Sequence, residues 1–281
     1  PGIEVVILYP SGKVSPVQEK QLTSLGENIT ALEINGSFDD CQRMVKEAFA
    51  DESLREQRLL SSANSINVAR WLPQQIYYFL AVKQWQWEEA PVIAVPSGNF
   101  GNICAGILAK QAGLPISHFI AACNANDMVR TYFDFGKWEP RDTIATLSNA
   151  MDVGNPSNFI RILEIMGHND QKLKLAVSAD SVSDEETLAH LSELYTRYQY
   201  MADPHGAVAY AALKRYLKLL PRQQGIFLET AHPVKFPDAV RTATGQEVPI
   251  PESLTALMQA PKKAYQMSPE YSALKQFLLS N

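Results

Sequence analysis

The segment VIAVPSGNFGN, residues 92–102, decides how this chain folds. Residues 92–95 are consecutively apolar, which predicts a parallel strand covered on both faces. A turn with two glycines and two asparagines follows, and residues 103–110 then show a helical pattern. Gly98 and Gly101 permit positive φ and a close backbone approach, and Asn102 can cap the helix. The segment therefore predicts backbone N–H groups gathered at a helix N-terminus, which is an anion-binding arrangement.

The turn differs from the common nucleotide-binding signatures. No Gly-Lys-Ser/Thr follows it, as a Walker A loop requires, and its glycine spacing is not GxGxxG. One interpretation is a site for a phosphate that belongs to neither ATP nor NAD. The other is an ordinary strand-to-helix turn.

Strands and helices also alternate before this segment. The apolar runs 3–9 and 29–34 predict strands, and Ser15, Pro16 and Gln18 form a capping-box pattern for a helix that ends near Gly26. A second helix is predicted over 37–50. The strands are too far apart for hairpins, so parallel pairing is expected.

Beyond residue 60, the chain continues in the same style. A helical pattern over 66–83 is interrupted by Pro73, which should kink it or reset its start. The remaining predictions are strands at 118–122 and 225–229, helices at 183–200 and 205–220, an irregular stretch at 124–158 and a helical tail after 245. Within the irregular stretch, residues 146–158 read as an ordered surface loop and a candidate lid. The sum is an α/β fold with doubly wound, mostly parallel sheets in two lobes, 1–75 and 76–281.

The composition of the chain argues against several classes of function. The 281 residues are 46% hydrophobic and carry a net charge of -5, with no basic stripe, so a nucleic-acid partner is not expected. No apolar run is long enough for a membrane span. The three cysteines form no CxxC pair, which favours a reducing, cytoplasmic location, and the five histidines show no close-spaced metal pattern.

Six stretches together resemble the threonine synthase family of fold-type-II pyridoxal-phosphate enzymes. They occur in the family's order and lie within residues 3–236. The stretches are VVILYPSGKVSPVQEKQL (5–22), SANSINVARWLPQQIYYF (62–79), PSGNFGN (96–102), TLSNAMDVGNPSN (146–158), DPHGAVAY (203–210) and TAHPVKF (230–236). The resemblance implies that residues 1–75 are the remainder of a small domain and that 76–281 belong to the large pyridoxal-phosphate-binding domain.

The resemblance also implies a function and a set of site residues. The reaction would be a lyase reaction that turns O-phospho-L-homoserine and water into L-threonine and phosphate, with pyridoxal 5'-phosphate as cofactor. Thr230 would hydrogen-bond the pyridine nitrogen of that cofactor. The cofactor phosphate would be bound by Gly98, Asn99, Phe100, Gly101 and Asn102, and the substrate phosphate by Asn64, Ser65 and Arg70.

Several of these residues have simpler interpretations. Arg70 could be an ordinary arginine on a surface helix, and Thr230 could cap the turn after its strand. His205 and His232 are interpreted as structural. In the candidate lid, Ser148, Asn149 and Asn155 are weaker substrate-binding candidates, or polar residues that satisfy one another within the loop.

Two family features do not occur in this sequence. The Schiff-base lysine in its Phe-Lys-Asp context and the TSGDTG stretch would both lie upstream of Pro1. We therefore expect the chain to be the C-terminal two-thirds of a threonine synthase, truncated at the N-terminus, with no catalytic lysine and no activity alone. Its expected partners are the missing N-terminal segment of the same protein and a second copy as a homodimer. The alternatives are a lyase acting on another phosphorylated amino acid and a non-catalytic fragment that acts by binding.

Overall fold

A computed structural model describes residues 2–65 and 67–280 of the chain. Its strands are β1 (Val5–Pro10), β2 (Ile29–Ile34), β3 (Val92–Pro96), β4 (His118–Cys123), β5 (Val177–Ser181), β6 (Gly225–Phe227) and β7 (Tyr265–Met267). Its helices are α1 (Pro16–Thr23), α2 (Phe38–Ala50), α3 (Glu52–Arg55), α4 (Trp71–Lys83), α5 (Gly101–Gln111), α6 (Met128–Phe135), α7 (Phe159–Ile165), α8 (Asp170–Ala176), α9 (Asp184–Tyr198), α10 (Pro204–Leu219), α11 (Pro237–Thr244), α12 (Glu252–Gln259) and α13 (Tyr271–Ser280). Within these two described ranges, no helix has the length and apolar character that a membrane span needs.

Two sequence predictions refer to positions that the structure does not describe. The Schiff-base lysine is expected upstream of Pro1, and Pro1 itself lies outside the described residues. The helical pattern over 66–83 starts at Ile66, which also lies outside them. The absence of a catalytic lysine from the active site of this chain therefore stays a prediction.

The chain divides into two compact units, residues 1–61 with 249–281, and residues 62–248. These bounds differ from the expected domains, 1–75 and 76–281, in two respects. The first unit ends earlier, and it includes the C-terminal tail. The tail joins the first unit because β7 pairs with β2 in parallel, with Leu32 opposite Tyr265.

The first unit is built on a three-stranded parallel sheet in the order β1-β2-β7. The predicted capping box of α1 is confirmed: the Ser15 hydroxyl accepts from Gln18 N, and the Gln18 side chain accepts from Ser15 N. Its core is a cluster of buried apolar side chains that includes Leu32, Met44 and Leu274. Helices α2 and α13 therefore pack on the sheet and close the core of this unit.

The second unit contains a four-stranded parallel sheet in the order β5-β4-β3-β6. Strand β3 is buried along its whole length, and its side chains alternate between two cores. Ile93 and Val95 belong to the core that also contains residues of α4 and α5, whereas Val92 and Ala94 belong to the core that contains α10. Helices thus cover both faces, and the predicted doubly wound α/β class is confirmed.

Two local predictions differ from the structure. The stretch 124–158, expected to be irregular, contains the helix α6, and the tail after 245 contains a strand besides its two helices. The chain enters the helical pattern that ends at residue 83 through a 3₁₀ turn, Val68–Arg70. Helix α4 itself begins at Trp71, so Pro73 lies in its first turn, where its missing N–H costs no hydrogen bond, and the prediction that Pro73 resets the start of the helix is confirmed.

Candidate anion-binding site

The turn after β3 is held by the sheet on one side and by close packing on the other. Ser97 N donates to Ala122 O at 2.8 Å, which extends the pairing of β3 with β4. The positive φ expected at the glycines occurs instead at Phe100, with φ 63. The glycines serve close approach, since a Cβ on Gly98 would lie 2.5 Å from Met151 Cα and one on Gly101 would lie 3.2 Å from Ser65 Cβ. Two segments of backbone and side chain therefore press directly on the turn.

The start of α5 presents unused donors. Among the hydrogen bonds between described residues, none uses the backbone N–H of Asn99, Phe100, Gly101 or Asn102, and the first helical bond runs from Cys104 N to Phe100 O at 3.1 Å. The N-terminus has no side-chain cap. The expected cap, Asn102, instead accepts a hydrogen bond from the Tyr78 hydroxyl at 2.8 Å. Open N–H groups at the positive end of an eleven-residue helix are an arrangement that favours the binding of an anion.

Two asparagine side chains hold three segments together around this turn. Asn99 Nδ2 donates to Ser65 Oγ at 2.9 Å, and Asn99 Oδ1 accepts from Ser157 N at 2.7 Å. Asn158 is fully buried, and its Nδ2 donates to both Ser65 O at 3.1 Å and Asn99 O at 2.9 Å. The turn is therefore fixed to Ser65 and to residues 157–158.

Sequence reasoning missed Ser157 and Asn158. Both lie in the stretch TLSNAMDVGNPSN, in which the sequence suggested Asn155 and two earlier residues as candidates. The signal that could have found them was a dense run of hydrogen-bonding side chains just before α7, where polar residues commonly satisfy backbone groups.

The residues predicted to bind the substrate phosphate lie beside this network of hydrogen bonds. Arg70 is exposed at the end of the 3₁₀ turn, and its guanidinium bends back to donate to Ala63 O. Asn64 is also exposed, and its Oδ1 accepts from Ser65 Oγ at 3.1 Å. Arg70 thus folds back toward the chain next to Asn64 and Ser65, and its role as a phosphate ligand stays a prediction beside the simpler one of a surface arginine.

Thr230 lies at the same edge of the sheet as the turn. Strand β6 pairs in parallel with β3, with Ala94 opposite Phe227, and Leu228 N donates to Ala94 O at 3.0 Å. The pairing ends at Phe227, and exposed Thr230 follows three residues later, just as Ser97 follows Ala94. Parallel strands end together, so the geometry of the sheet brings the two candidates to one edge.

Hydrogen bonds from a buried asparagine hold the candidate lid in place. Asn124 Nδ2 donates to Ser148 Oγ at 3.1 Å and to Asp152 Oδ1 at 2.8 Å. Burial raises the pKa of Asp152. Ser148 is buried in this network, whereas Asn149 and Asn155 are exposed. The structure therefore commits Ser148 to the loop itself and leaves the other two side chains at the surface.

The two histidines of the quoted motifs have different settings. His232 Nδ1 accepts from Val234 N at 3.1 Å and so caps a short 3₁₀ turn. His205 is buried, with its Nδ1 2.5 Å from Asp203 Oδ1. Its other nitrogen reaches the candidate lid.

Comparison with known proteins assigns a family. The model of the family described as pyridoxal-phosphate dependent enzyme matches residues 2–228. This chain belongs to the pyridoxal-phosphate-dependent enzyme family. A second model, described as threonine synthase, C-terminal, matches residues 206–278. The threonine synthase resemblance drawn from the six stretches is confirmed.

The chain is also similar to individual proteins of this family that are named threonine synthase. A threonine synthase of Haemophilus influenzae is 46% identical over 282 residues, covering 100% of this chain and 65% of that protein. The crystal structure of threonine synthase from Escherichia coli matches with a TM-score of 0.92 and 43% identity, over 100% of this chain and 65% of that one. The pyridoxal-phosphate-bound threonine synthase from Brucella melitensis matches with a TM-score of 0.87 and 34% identity, over 99% and 65%. The chain thus spans 65% of the length of these relatives.

The family's cofactor suits the donors observed here. Pyridoxal phosphate carries a phosphate group that only accepts hydrogen bonds when fully ionised, and the turn before α5 offers backbone N–H donors that have no partner among the described residues. The predicted cofactor is confirmed at the level of the family, while the contacts of individual residues stay predictions.

Proposed function

We propose that this chain is part of a threonine synthase, which converts O-phospho-L-homoserine and water to L-threonine and phosphate. One contact carries the proposal. The hydrogen bond from Asn99 Nδ2 to Ser65 Oγ, at 2.9 Å, joins the turn suited to the cofactor phosphate to the segment suited to a second phosphate. A reaction whose cofactor and substrate both carry phosphate needs two such segments side by side. The similarity to threonine synthases supports the same assignment.

The first role of the chain is to hold the cofactor in the second unit. The N–H groups of residues 98–102 bind its phosphate, and the Thr230 hydroxyl binds its pyridine nitrogen. When bound, pyridoxal phosphate supplies an electron sink for carbanions at the substrate carbons. A neutral hydroxyl partner leaves the ring nitrogen largely unprotonated, in contrast to a carboxylate partner.

The second role is to hold the substrate phosphate. Arg70 contributes a planar, permanently charged donor group, which matches phosphate geometry. Ser65 Oγ accepts from Asn99, so its own hydrogen is free to point toward Asn64 or toward a phosphate oxygen. Because Asn99 belongs to the cofactor turn, the two phosphates are positioned relative to each other by one side chain.

We further propose a cytoplasmic location and a homodimer as working assumptions. The cysteines Cys41, Cys104 and Cys123 are buried free thiols, which suits a reducing compartment. The size of the assembly in solution, measured by light scattering, tests the second assumption.

Cofactor binding is tested with pyridoxal phosphate and pyridoxal, which differ only in the phosphate. We expect the purified chain to bind pyridoxal phosphate at least about tenfold more tightly, since charge-assisted hydrogen bonds contribute roughly 1.5–3 kcal/mol each. Isothermal titration calorimetry measures both affinities. Equal affinities would show that the turn does not bind the phosphate.

Substrate binding is tested by titrating O-phospho-L-homoserine into the cofactor-saturated chain. We expect Ser65→Ala to weaken binding about tenfold, through the loss of one hydrogen bond to a charged group. Ser192→Ala, on α9, is the matched control and should bind as the unmodified chain does. If O-phospho-L-homoserine does not bind the unmodified chain, the substrate assignment is wrong. If both variants bind it equally, only the role of Ser65 is wrong.

A further inference from the structure

A buried cluster of two carboxyl groups and one histidine lies at the same sheet edge as the turn. Asp203, the N-cap of α10, accepts at Oδ1 from His205 N at 2.7 Å and lies 2.5 Å from His205 Nδ1. Glu229, which directly precedes Thr230, accepts at Oε1 from Asp203 N at 2.7 Å. Asp203 and His205 are 0% and 2% exposed. We call these three residues the acid–histidine cluster.

The hydrogen bonds of His205 define its protonation state. Its Nε2 accepts from the backbone N–H of Ala150 at 3.2 Å, which requires an unprotonated Nε2. The ring proton is therefore on Nδ1, where it is donated to the Asp203 carboxylate. The Phe236 ring packs against the imidazole, with centroids 4.9 Å apart.

Both carboxyl groups are buried, but their pKa values shift in opposite directions. Asp203 Oδ2 and Glu229 Oε2 are both buried and have no hydrogen-bond partner among the described residues. Burial, and then the neighbouring Asp203, raise the pKa of Glu229 to about 9. Burial alone would raise the pKa of Asp203, but its contacts with His205 outweigh this and lower it. Tyr200 faces both acids, and burial is the largest cause of its raised pKa. These shifts favour an ionised Asp203 and a protonated Glu229 at neutral pH.

The cluster reaches the phosphate turn through the candidate lid. Ala150 is followed by Met151, whose backbone lies against Gly98 so closely that a Cβ there would be 2.5 Å from Met151 Cα and 3.1 Å from Met151 O. A shift of Ala150 therefore displaces the surface on which Gly98 rests. At its other end, the cluster fixes Glu229 beside Thr230.

We propose that His205 is a positioning residue for the phosphate turn: it holds Ala150, and through Met151 it holds Gly98, in the geometry that receives the cofactor phosphate. Asp203 and Glu229 keep the imidazole in the required tautomer. This inference rests on the proposed function in one respect, namely that the anion received by the turn is the phosphate of pyridoxal phosphate. It assigns His205 a role beyond the structural one that its sequence context indicates.

The first experiment compares two buried histidines. His118 is 8% exposed, with one ring nitrogen 3.1 Å from Leu175 O and the other 2.9 Å from Ser178 Oγ, so His118→Ala is matched to His205→Ala in burial and in number of partners. We expect His205→Ala to weaken pyridoxal phosphate binding about fivefold or more, which is the range for coupling through packed networks, with little change for pyridoxal. His118→Ala should leave the ratio of the two affinities unchanged. His205→Gln, whose side-chain oxygen can accept from Ala150 N–H, should recover part of the loss.

Hydrogen exchange separates this inference from the proposed function, because it needs no ligand. His205→Ala should speed exchange at the amides of Ala150 and Met151 more than at the amides of β4, whereas His118→Ala should not. If the unmodified chain fails to discriminate pyridoxal phosphate from pyridoxal, the proposed function fails while this test still decides the coupling. Unchanged exchange at Ala150 in His205→Ala would overturn the inference.

A spectroscopic measurement on the unmodified chain covers the case in which the variants do not fold. In a chain labelled with ¹⁵N-histidine, we expect His205 to show a protonated Nδ1 and an unprotonated Nε2 at neutral pH. A His205 found with its proton on Nε2 at neutral pH would contradict the inference.

Discussion

Phe100 illustrates how single residues decide the geometry of the site. Its φ of 63 lies in the left-handed region, which costs a non-glycine residue about 1–2 kcal/mol. Its ring is 3% exposed and packs edge-on against Phe159 at 5.7 Å. Burying a phenylalanine side chain contributes about 1.5–3 kcal/mol, so packing offsets the strain. The turn thus bends at a large apolar residue and not at either glycine.

Glu229 gives a prediction about pH at the same scale. Its pKa is raised from 4.5 to about 9 in the folded chain, so the folded state keeps a proton that the unfolded state has released. The stabilisation from protonated Glu229 is complete below pH 4.5 and is lost progressively as pH rises toward 9, with a slope of up to about 1.4 kcal/mol per pH unit. Glu229→Gln removes this proton, so its stability relative to the unmodified chain should rise between pH 5 and pH 9. Urea unfolding across about this range measures the difference.

The control for that measurement is Glu185→Gln, because Glu185 is an exposed glutamate of α9. Its stability relative to the unmodified chain should not follow pH. A flat difference for Glu229→Gln as well would mean that Glu229 is ionised in the folded state.

At the scale of elements, the junction of β3, turn and α5 depends on where glycine is needed. Gly98 faces backbone: a Cβ at this position would lie 2.5 Å from Met151 Cα, which cannot yield without moving the chain. Gly101 faces the Ser65 side chain at 3.2 Å and lies at the start of a helix, where alanine is the better helix former. Gly98 therefore avoids a clash with backbone, whereas Gly101 avoids only a close contact with a side chain.

We expect Gly98→Ala to destabilise the chain by about 1–3 kcal/mol, as overpacking does, and to weaken pyridoxal phosphate binding. Gly101→Ala should change stability by less than about 1 kcal/mol, since gain in helix propensity offsets a small shift of Ser65. Urea unfolding and calorimetric titration measure the two effects. Equal effects of both substitutions would show that the contact with Met151 does not constrain the turn.

Elements that carry local signals could be predicted from the sequence. Helices α1 and α2 have capping boxes at Ser15 and Ser37, which depend on residues three positions apart. Helix α6 was missed because Asp127 makes no side-chain capping bond and polar residues flank the helix. Strand β7 has three residues and is defined only by pairing with β2, which no local pattern reveals.

The candidate site likewise has parts that the sequence predicts and parts that it does not. The strand, turn and helix around residues 92–110 follow from one contiguous stretch. The bond between Asn158 and Asn99 joins positions 59 residues apart, so sequence periodicity gives no sign of it. The acid–histidine cluster likewise unites Asp203 with Glu229, 26 residues later. The sequence shows that these positions are polar, but only the fold shows which residues are their hydrogen-bond partners.

For the whole molecule, the division into two units explains why the site residues named here converge. The turn, Ser65, Arg70, Thr230 and the acid–histidine cluster all belong to the unit 62–248. Its sheet is parallel throughout the described strands, so their carboxyl ends share one edge, where ligands commonly bind in such folds. The first unit has its own sheet and its own core, which depends on the tail.

Because each unit has its own core, a core substitution in the tail should act on the first unit. Leu274, in α13, is 2% exposed and belongs to the cluster with Leu32 and Met44. Leu274→Ala should destabilise that unit by about 2–5 kcal/mol, the usual cost of emptying a buried leucine site. Hydrogen exchange should then speed up in β1 and β2 while β3 and β4 keep their protection. Leu219→Ala, at a leucine that is 80% exposed, is the control and should change neither sheet. Faster exchange in all four strands after Leu274→Ala would mean that the two units unfold together.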